Sequence, residues 1–254
     1  MALSGRKVAS TWTKPSLAGN YMCLPRIATC STCPRKVQSP RSKPFLVQEL
    51  ASFKEILEGW NDKPVSQEAL DEAIELCNLN RRLLKQIYET RRASTPAISG
   101  VEAMAMTLSS MLTDKREHNR LLSQAIEELS SCQAYSLGVW LMILGNENDD
   151  IGFVEMVESL GAAVVIDDHC TGSRYFWNEV MPEENRLAAI ASRYLDRPPC
   201  PERDWEVRRR WDHIIKLARD YNIQGVILIQ QRLCDSHECH MPLLISLFEK
   251  NNIP

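Results

Sequence analysis

Two short segments of the chain concentrate the side chains that could do chemistry. The first is Asp167–Trp177, with the sequence DDHCTGSRYFW. Backbone N–H groups at its centre could bind an anion at the start of a helix, and Arg174 could hold a carboxylate or phosphate through two parallel hydrogen bonds. The alternative is a capped helix start in which Asp168 pairs with Arg174. The candidate substrate-binding residues of this segment are Thr171, Ser173 and Arg174.

The second segment is Gln231–His240, with the sequence QRLCDSHECH, which places two thiols and two imidazoles within seven residues. Such a cluster could hold zinc, or a thiolate could bind an iron–sulfur cluster. Its spacing matches no standard zinc pattern, and the alternative is a polar helix start with Cys234 half-buried. A third motif, Cys30–Cys33, is an isolated C-x-x-C with no strand before it, and we predict no function for it.

Three apolar runs predict the strands that must position these segments. They are continuous rather than alternating, which is typical of buried parallel strands. The runs are Leu137–Leu144, Ala162–Ile166 and Gly225–Ile229. Helical patterns alternate with them, so the second half predicts a doubly wound α/β fold with a mostly parallel, Rossmann- or flavodoxin-like sheet. In such folds ligands bind beyond the carboxyl ends of the strands. The segments predicted to lie there are Gly145–Asp150, Asp167–Arg174 and Gln230–His240.

The first half has helical periodicity throughout and predicts a collar of helices. The predicted helices are Pro44–Trp60, Gln67–Arg92, Ser99–Leu112 and Asp114–Leu129, followed in the second half by Ile151–Leu160, Asn185–Tyr194, Glu202–Tyr221 and Pro242–Lys250. This predicts a basic tail at residues 1–43, a helical collar at 44–130 and a parallel α/β domain at 131–254. Another strand would be due after the last helix, so we expect the sheet to be truncated at the C-terminus.

Composition excludes several classes of protein. The chain has 254 residues, of which 44 % are hydrophobic and 25 % charged, and it has no apolar run long enough to predict a membrane span. The net charge of -3 gives no reason to expect nucleic-acid binding. No secretory segment precedes the nine cysteines, which argues against a disulfide framework and for a cytoplasmic protein. Residues 1–43 contain eight basic residues and no acidic ones, so a disordered tail, the remnant of a truncated N-terminal region and an organelle transit peptide are all open.

Several segments together resemble one family, the 2-hydroxyacyl-CoA dehydratases and benzoyl-CoA reductases, from about Pro34 to Pro254. The most recognisable is Asp167–Phe176. The other similar segments are Pro34–Arg41, Asn80–Leu84, Ile98–Gly100, Tyr194–Pro201 and Gln231–His237. The similarity is to the C-terminal portion of a subunit of this family, which includes the D-component of 2-hydroxyglutaryl-CoA dehydratase.

The resemblance implies an iron–sulfur enzyme acting on acyl-CoA. A complete subunit of the family has two α/β domains with a 4Fe-4S cluster between them, held by three cysteines. Cys234 matches the C-terminal ligand best, and Cys170 is the second choice or lines the substrate cavity. The resemblance also implies a related second subunit and an ATP-dependent iron–sulfur activator protein. One electron then reduces the thioester, followed by loss of a hydroxyl group in the dehydratases or by ring reduction in the reductases.

The chain departs from the family pattern at its N-terminal end. Two ligands should come from an N-terminal domain, and the cysteines Cys23, Cys30 and Cys33 fit no pattern for them. We therefore keep two hypotheses. The chain is part of a catalytic subunit, or it is a non-catalytic, cluster-less domain that retains the fold and binds a partner.

Overall fold

The computed structural model describes residues 34, 36–93, 96–129, 138–204 and 207–254. Four long helices come first, and a small sheet with its helices follows. The helices are α1 (Ser42–Asn61), α2 (Gln67–Thr90), α3 (Gly100–Leu112), α4 (Lys115–Leu129), α5 (Ile151–Ser159), α6 (Ser173–Phe176), α7 (Arg186–Leu195), α8 (Val207–Asp220) and α9 (Asp235–Lys250). The strands are β1 (Val139–Gly145), β2 (Ala162–Asp168) and β3 (Gly225–Ile229).

Several helix starts follow directly from the local sequence. Ser66 accepts a hydrogen bond from the backbone N–H of Ala69 and so caps α2. At the start of α3, Ser99 and Glu102 form a capping box, in which each side chain binds the other residue's backbone N–H. Side-chain caps of this kind satisfy backbone donors that have no partner inside the helix.

The three strands form one parallel sheet in the order β2-β1-β3. The chain moves from β1 to β2 on one side and then crosses to β3 on the other side, so β1 is central. The loops after β1 and β3 therefore diverge at a switch point, where α/β sheets of this kind bind ligands. Gly145 ends β1 beside Ile229, and a Cβ atom at this position would collide with the Ile229 carbonyl group.

Both faces of the sheet are covered, which is why the strands are apolar until the carboxyl end of β2, where Asp167 and Asp168 follow. On one face, Met142 and Leu144 join a core that includes residues of α2, α3, α4, α8 and α9. On the other face, Ile143 and Val164 pack with residues of α3 and α5. The predicted α/β class and parallel sheet are confirmed. The division at residues 130 and 131 falls outside the described ranges and stays a prediction, although collar and sheet share a core.

The last helix begins earlier than predicted. The sequence pattern suggested a start at Pro242, because proline favours the first helical position. In the structure α9 begins at Asp235 and continues through Pro242. Asp235 and Glu238 lie in its first turn, where carboxylates are favoured by the helix dipole. The segment Gln230–His240 is therefore a loop only in its first half, since His237, Cys239 and His240 are helical. The alternative interpretation of this segment, a polar helix start with Cys234 half-buried, is the arrangement found.

Other boundaries shift by a few residues, and some predictions cannot be compared. The basic tail before residue 34, with Cys23, Cys30 and Cys33, lies outside the described residues, as does the start predicted for the first strand at Leu137. Helix α8 is described from Val207 instead of Glu202. Within the described ranges, no helix combines the length and hydropathy that crossing a membrane requires.

Candidate functional site

The three predicted loops lie at the carboxyl edge of the sheet, and Asn146 joins two of the backbone segments that carry cysteines. Its backbone carbonyl accepts a hydrogen bond of 2.8 Å from the N–H of Cys170. Its side-chain oxygen accepts a bond of 3.1 Å from the N–H of Gln231. The carbonyl of Gln231 in turn accepts from the N–H of Cys234 at 3.2 Å. A buried asparagine after the central strand thus fixes the loops that follow β2 and β3 relative to each other.

A tight turn follows β2 and is built around Asp167. One carboxylate oxygen of Asp167 accepts a hydrogen bond of 2.5 Å from the backbone N–H of Ser173, and the other accepts one of 2.6 Å from the hydroxyl of Tyr88. The Ser173 hydroxyl donates to the Asp167 carbonyl at 2.6 Å. Gly172 is required here, because a Cβ atom would collide with the Asp167 carboxylate and the His169 ring. Burial raises the pKa of Tyr88 well above its ordinary value, so Tyr88 is a hydrogen-bond donor.

Asp168 and Arg174 form a fully buried ion pair below this turn. The Nε and Nη2 atoms of Arg174 donate to the two carboxylate oxygens of Asp168 at 2.8 and 2.9 Å. Nη2 also donates to the carbonyls of Asp168 and Gly145 at 2.5 and 2.8 Å. Burial alone would raise the pKa of Asp168, but Arg174, His213 and Arg210 hold it well below its ordinary value. The pair therefore stays charged and ties β2 to the end of β1.

The predicted substrate-binding residues are used mostly for internal contacts. Ser173 and Arg174 are buried, and the alternative interpretation of the sequence, a helix start with Asp168 and Arg174 paired, is the arrangement found. Thr171 is half-buried, and its hydroxyl lies between the backbone N–H and carbonyl groups of Asn148, at 3.1 and 2.5 Å. Substrate binding by these three residues stays a prediction, and Thr171 is the one with an accessible side chain.

The two predicted cluster-binding thiols differ in their surroundings. Cys170 is an exposed residue, but its sulfur lies against Arg174 and accepts a weak hydrogen bond from Nη1 of that residue at 3.8 Å. Loss of water around its sulfur raises the pKa of Cys170, and the positive charge of Arg174 opposes this only in part. Cys234 is half-buried and immediately precedes α9. Leu233 before it has a left-handed φ of 69°, and the backbone N–H of Cys234 donates back to the carbonyl of Gln231.

Cys234 suits the role of one ligand of a metal cluster, but the described residues do not form a complete site. Cysteine thiolates are the ligands of iron–sulfur clusters, and a half-buried thiol at the ligand-binding edge of the sheet suits that purpose. Within the described part of the chain, no group of three or more His, Cys, Asp or Glu side chains could hold a metal ion. A complete set of three ligands is therefore not present among the described residues.

Sequence reasoning missed two residues of this edge. Asn146 lies in the loop that was predicted to face a ligand, but no side chain of that loop was singled out. Its signal was its place as the first polar residue after a buried strand. Arg210, which is buried beside Asp168, interrupts the apolar face of α8, four residues before Ile214. A charged residue on an apolar helix face was the available signal.

Replacing Asn146 with alanine is expected to loosen the loop that carries Cys234, because the N–H of Gln231 loses its acceptor. An unpaired buried donor costs about 1–3 kcal/mol. We expect faster alkylation of Cys234 relative to Cys77, measured by mass spectrometry, and faster amide exchange at Gln231. Asn146→Asp keeps the acceptor oxygen and should retain the slow rates. Unchanged alkylation in Asn146→Ala would show that this asparagine does not position Cys234.

Comparison with known families identifies relatives over most of the chain. The model of the family described as 2-hydroxyglutaryl-CoA dehydratase, D-component, matches residues 17–254. The beta subunit of (R)-phenyllactyl-CoA dehydratase from Clostridium sporogenes is 23 % identical over 225 residues, which cover 88 % of this chain and 60 % of that subunit.

Two further relatives are a subunit of a reductase and a subunit of another dehydratase. One of the subunits of benzoyl-CoA reductase from Thauera aromatica is 20 % identical over 215 residues, 83 % of this chain and 56 % of its own length. The beta subunit of (R)-2-hydroxyglutaryl-CoA dehydratase from Acidaminococcus fermentans is 20 % identical over 227 residues, 87 % of this chain and 60 % of its own length. The chain thus spans a little over half the length of these relatives.

Proposed function

Because the chain belongs to the family of the 2-hydroxyglutaryl-CoA dehydratase D-component, we propose that it is part of a subunit that acts on an acyl-CoA thioester. The reaction is either dehydration of a 2-hydroxyacyl-CoA or reduction of an aromatic acyl-CoA. The observation that carries the proposal is the tether at Asn146, which holds the loops of Cys170 and Cys234 together at the switch point of the sheet. The relatives named above are subunits of enzymes of both kinds.

In this proposal the described residues hold and orient a cofactor. Cys234 supplies one thiolate of a 4Fe-4S cluster, and two further thiolates come from outside the described residues. The cluster, when bound, supplies one-electron transfer to the thioester. Asn146 keeps the Cys234 loop in place, and the buried pair of Asp168 and Arg174 gives that edge a rigid base. Cys170, an exposed residue, and the half-buried Thr171 face the substrate.

The proposed partners follow from the same chemistry. The active enzyme is completed by a second, related subunit, since the relatives are themselves subunits of larger enzymes. An ATP-dependent iron–sulfur activator protein delivers the electron at low potential. The acyl-CoA binds where the loops diverge, because this is the part of an open α/β sheet where ligands bind.

The proposal predicts turnover of one class of thioester. The protein, co-expressed with its own second subunit and activator, is incubated anaerobically with (R)-phenyllactyl-CoA or with benzoyl-CoA, and the products are measured by mass spectrometry. We expect conversion of one of the two classes, dependent on ATP. Cys239→Ser, which changes an exposed cysteine of α9, should leave the rate unchanged. A folded, iron-loaded assembly that converts neither class would contradict the proposal.

A further inference from the structure

Helices α8 and α9 share a cluster of buried nitrogen atoms that have no hydrogen-bond partner among the described residues. Each helix contributes two of these residues at a spacing of three, and the charge of Arg210 acts on both His237 and His240 of α9. The five atoms are Nε and Nη2 of Arg210, Nε2 of His213, Nε2 of His237 and Nδ1 of His240. Of these, Nε2 of His213 lies 3.5 Å from Oδ1 of Asp168 and so has an acceptor nearby. Buried polar groups in native proteins are almost always hydrogen-bonded, so the unpartnered atoms of Arg210 and His237 indicate a missing partner.

Arg210 presents the edge of its guanidinium group that binds two oxygens at once. Its Nη1 donates to the carbonyl of Pro199 at 2.7 Å, whereas Nε and Nη2 are unpartnered. Arg174 uses the same Nε and Nη2 edge to bind both oxygens of Asp168. This edge is the one that recognises carboxylates and phosphates through two parallel hydrogen bonds. Among the described residues, the Nε and Nη2 edge of Arg210 thus has no partner, whereas the same edge of Arg174 binds Asp168.

Among the described residues, the guanidinium groups of Arg174 and Arg210 share the single carboxylate of Asp168. Asp168 is the nearest carboxylate, at 3.6 Å from Nη1 of Arg210, and both of its oxygens are bound by Arg174. Burial lowers the pKa of Arg210 to about 10, an effect that Asp168 opposes and Arg174 reinforces. Burial also lowers the pKa of His237, to about 3, with Arg174 and Arg210 adding to the effect. A desolvated positive charge of this kind favours an anion and disfavours a metal cation.

We propose that Arg210 binds an oxyanion, a carboxylate or a phosphate group, through Nε and Nη2, with the imidazole of His237 as a further donor. A water molecule would satisfy the donors but would leave the positive charge unbalanced. His213 and His240 are half-buried, whereas Arg210 and His237 are buried. The site lies beside the carboxyl ends of the strands, since Asp168 ends β2 and α9 follows β3. The inference does not rest on the proposed function, because binding of a free oxyanion needs neither a cluster nor a partner.

The test is thermal unfolding of the full chain in sodium phosphate, sodium acetate or coenzyme A, each compared with sodium chloride at equal ionic strength. Saturation of one site should raise the Tm by about 3 °C or more. Phosphate also stabilises proteins without binding them specifically. The informative quantity is therefore the part of the shift that Arg210→Met lacks. A shift with phosphate and coenzyme A would show that the site accepts a phosphate group. A shift with acetate would show that it accepts a carboxylate.

Arg219→Met is the matched control, because Arg219 is an exposed arginine on the same helix. It should keep the full shift. Equal shifts in the wild type and in Arg210→Met, or no shift in either, would overturn the proposal. If Arg210→Met does not fold, Arg210→Lys keeps the charge but loses the two-oxygen edge, and titration calorimetry should then show at least about tenfold weaker binding. Equal affinity in wild type and Arg210→Lys would also overturn it.

Discussion

Replacing Asp168 with asparagine is expected to lower the free energy of unfolding by about 3–5 kcal/mol, because it leaves buried guanidinium groups without their counter-charge. Asp168 is fully buried and accepts two hydrogen bonds from Arg174, and Arg210 lies 3.6 Å away. Asparagine has nearly the same shape, so the loss reports the charge and not the packing. Urea unfolding followed by circular dichroism measures the change as a lower transition midpoint.

The pH dependence of this ion pair has a definite sign. The pKa of Asp168 is held well below its ordinary value, so the pair stabilises the fold at every pH above about 3.9, the pKa of an unfolded aspartate. The stabilisation is lost only as the pH falls further, through the lowered pKa. Wild type and Asp168→Asn should therefore differ by the same amount at pH 7 and pH 5.

A surface ion pair provides the control for Asp168→Asn. Asp71 and Arg186 form a similar two-bond pair at the surface, where Asp71 is exposed and Arg186 is half-buried. Exposed pairs contribute little, so Asp71→Asn should unfold at nearly the wild-type urea concentration. Adding Arg210→Met to Asp168→Asn should recover part of the loss, since it removes one of the two unbalanced cations. An Asp168→Asn protein as stable as the wild type would refute the electrostatic account of this edge.

Replacing Cys234 with serine is expected to remove nearly all bound iron from the assembled protein, because a hydroxyl group is a poor substitute for a thiolate ligand. The fold should survive this change. Cys234 immediately precedes α9 and makes no side-chain cap, whereas serine is favoured at that position. Iron and sulfide per assembly are measured after anaerobic purification with the partner subunit.

Serine variants of two other cysteines test whether the loss of iron is specific to Cys234. Cys77 is half-buried in α2, and Cys77→Ser should keep full iron content. Cys170→Ser should also keep its iron if Cys170 lines the substrate cavity, and should lose it if Cys170 is the ligand instead. Full iron and sulfide in Cys234→Ser would remove Cys234 from the proposed site.

The sequence predicted the elements of the fold because its signals are local. The apolar run Gly225–Ile229 has the same first and last residues as β3. The pattern at Ser99 and Glu102 marks the start of α3. The start of α9 was predicted wrongly because Pro242 is a strong local signal for a helix start. The acidic first turn at Asp235 outweighed it.

The candidate site was only partly predictable, because its contacts join distant parts of the chain. The loop Asp167–Arg174 could be recognised from its composition. The partner of Arg174 could not be predicted, because Asp168 and an external anion would both offer it two oxygens. The tether from Asn146 to Gln231 spans β2 and several helices, and no local spacing encodes it. The burial of Arg210 beside Asp168 likewise depends on how α8 packs against β2.

Anaerobic reconstitution with iron and sulfide, followed by their quantification and by EPR after reduction, tests the central claim most directly. The claim is that this chain contributes a thiolate to a 4Fe-4S cluster at the carboxyl edge of its sheet. We predict about four irons per chain or per assembled dimer, with a reduced-cluster signal that Cys234→Ser abolishes. A folded protein that, together with its second subunit, binds no iron would contradict the claim and favour a non-catalytic, partner-binding domain of the same fold.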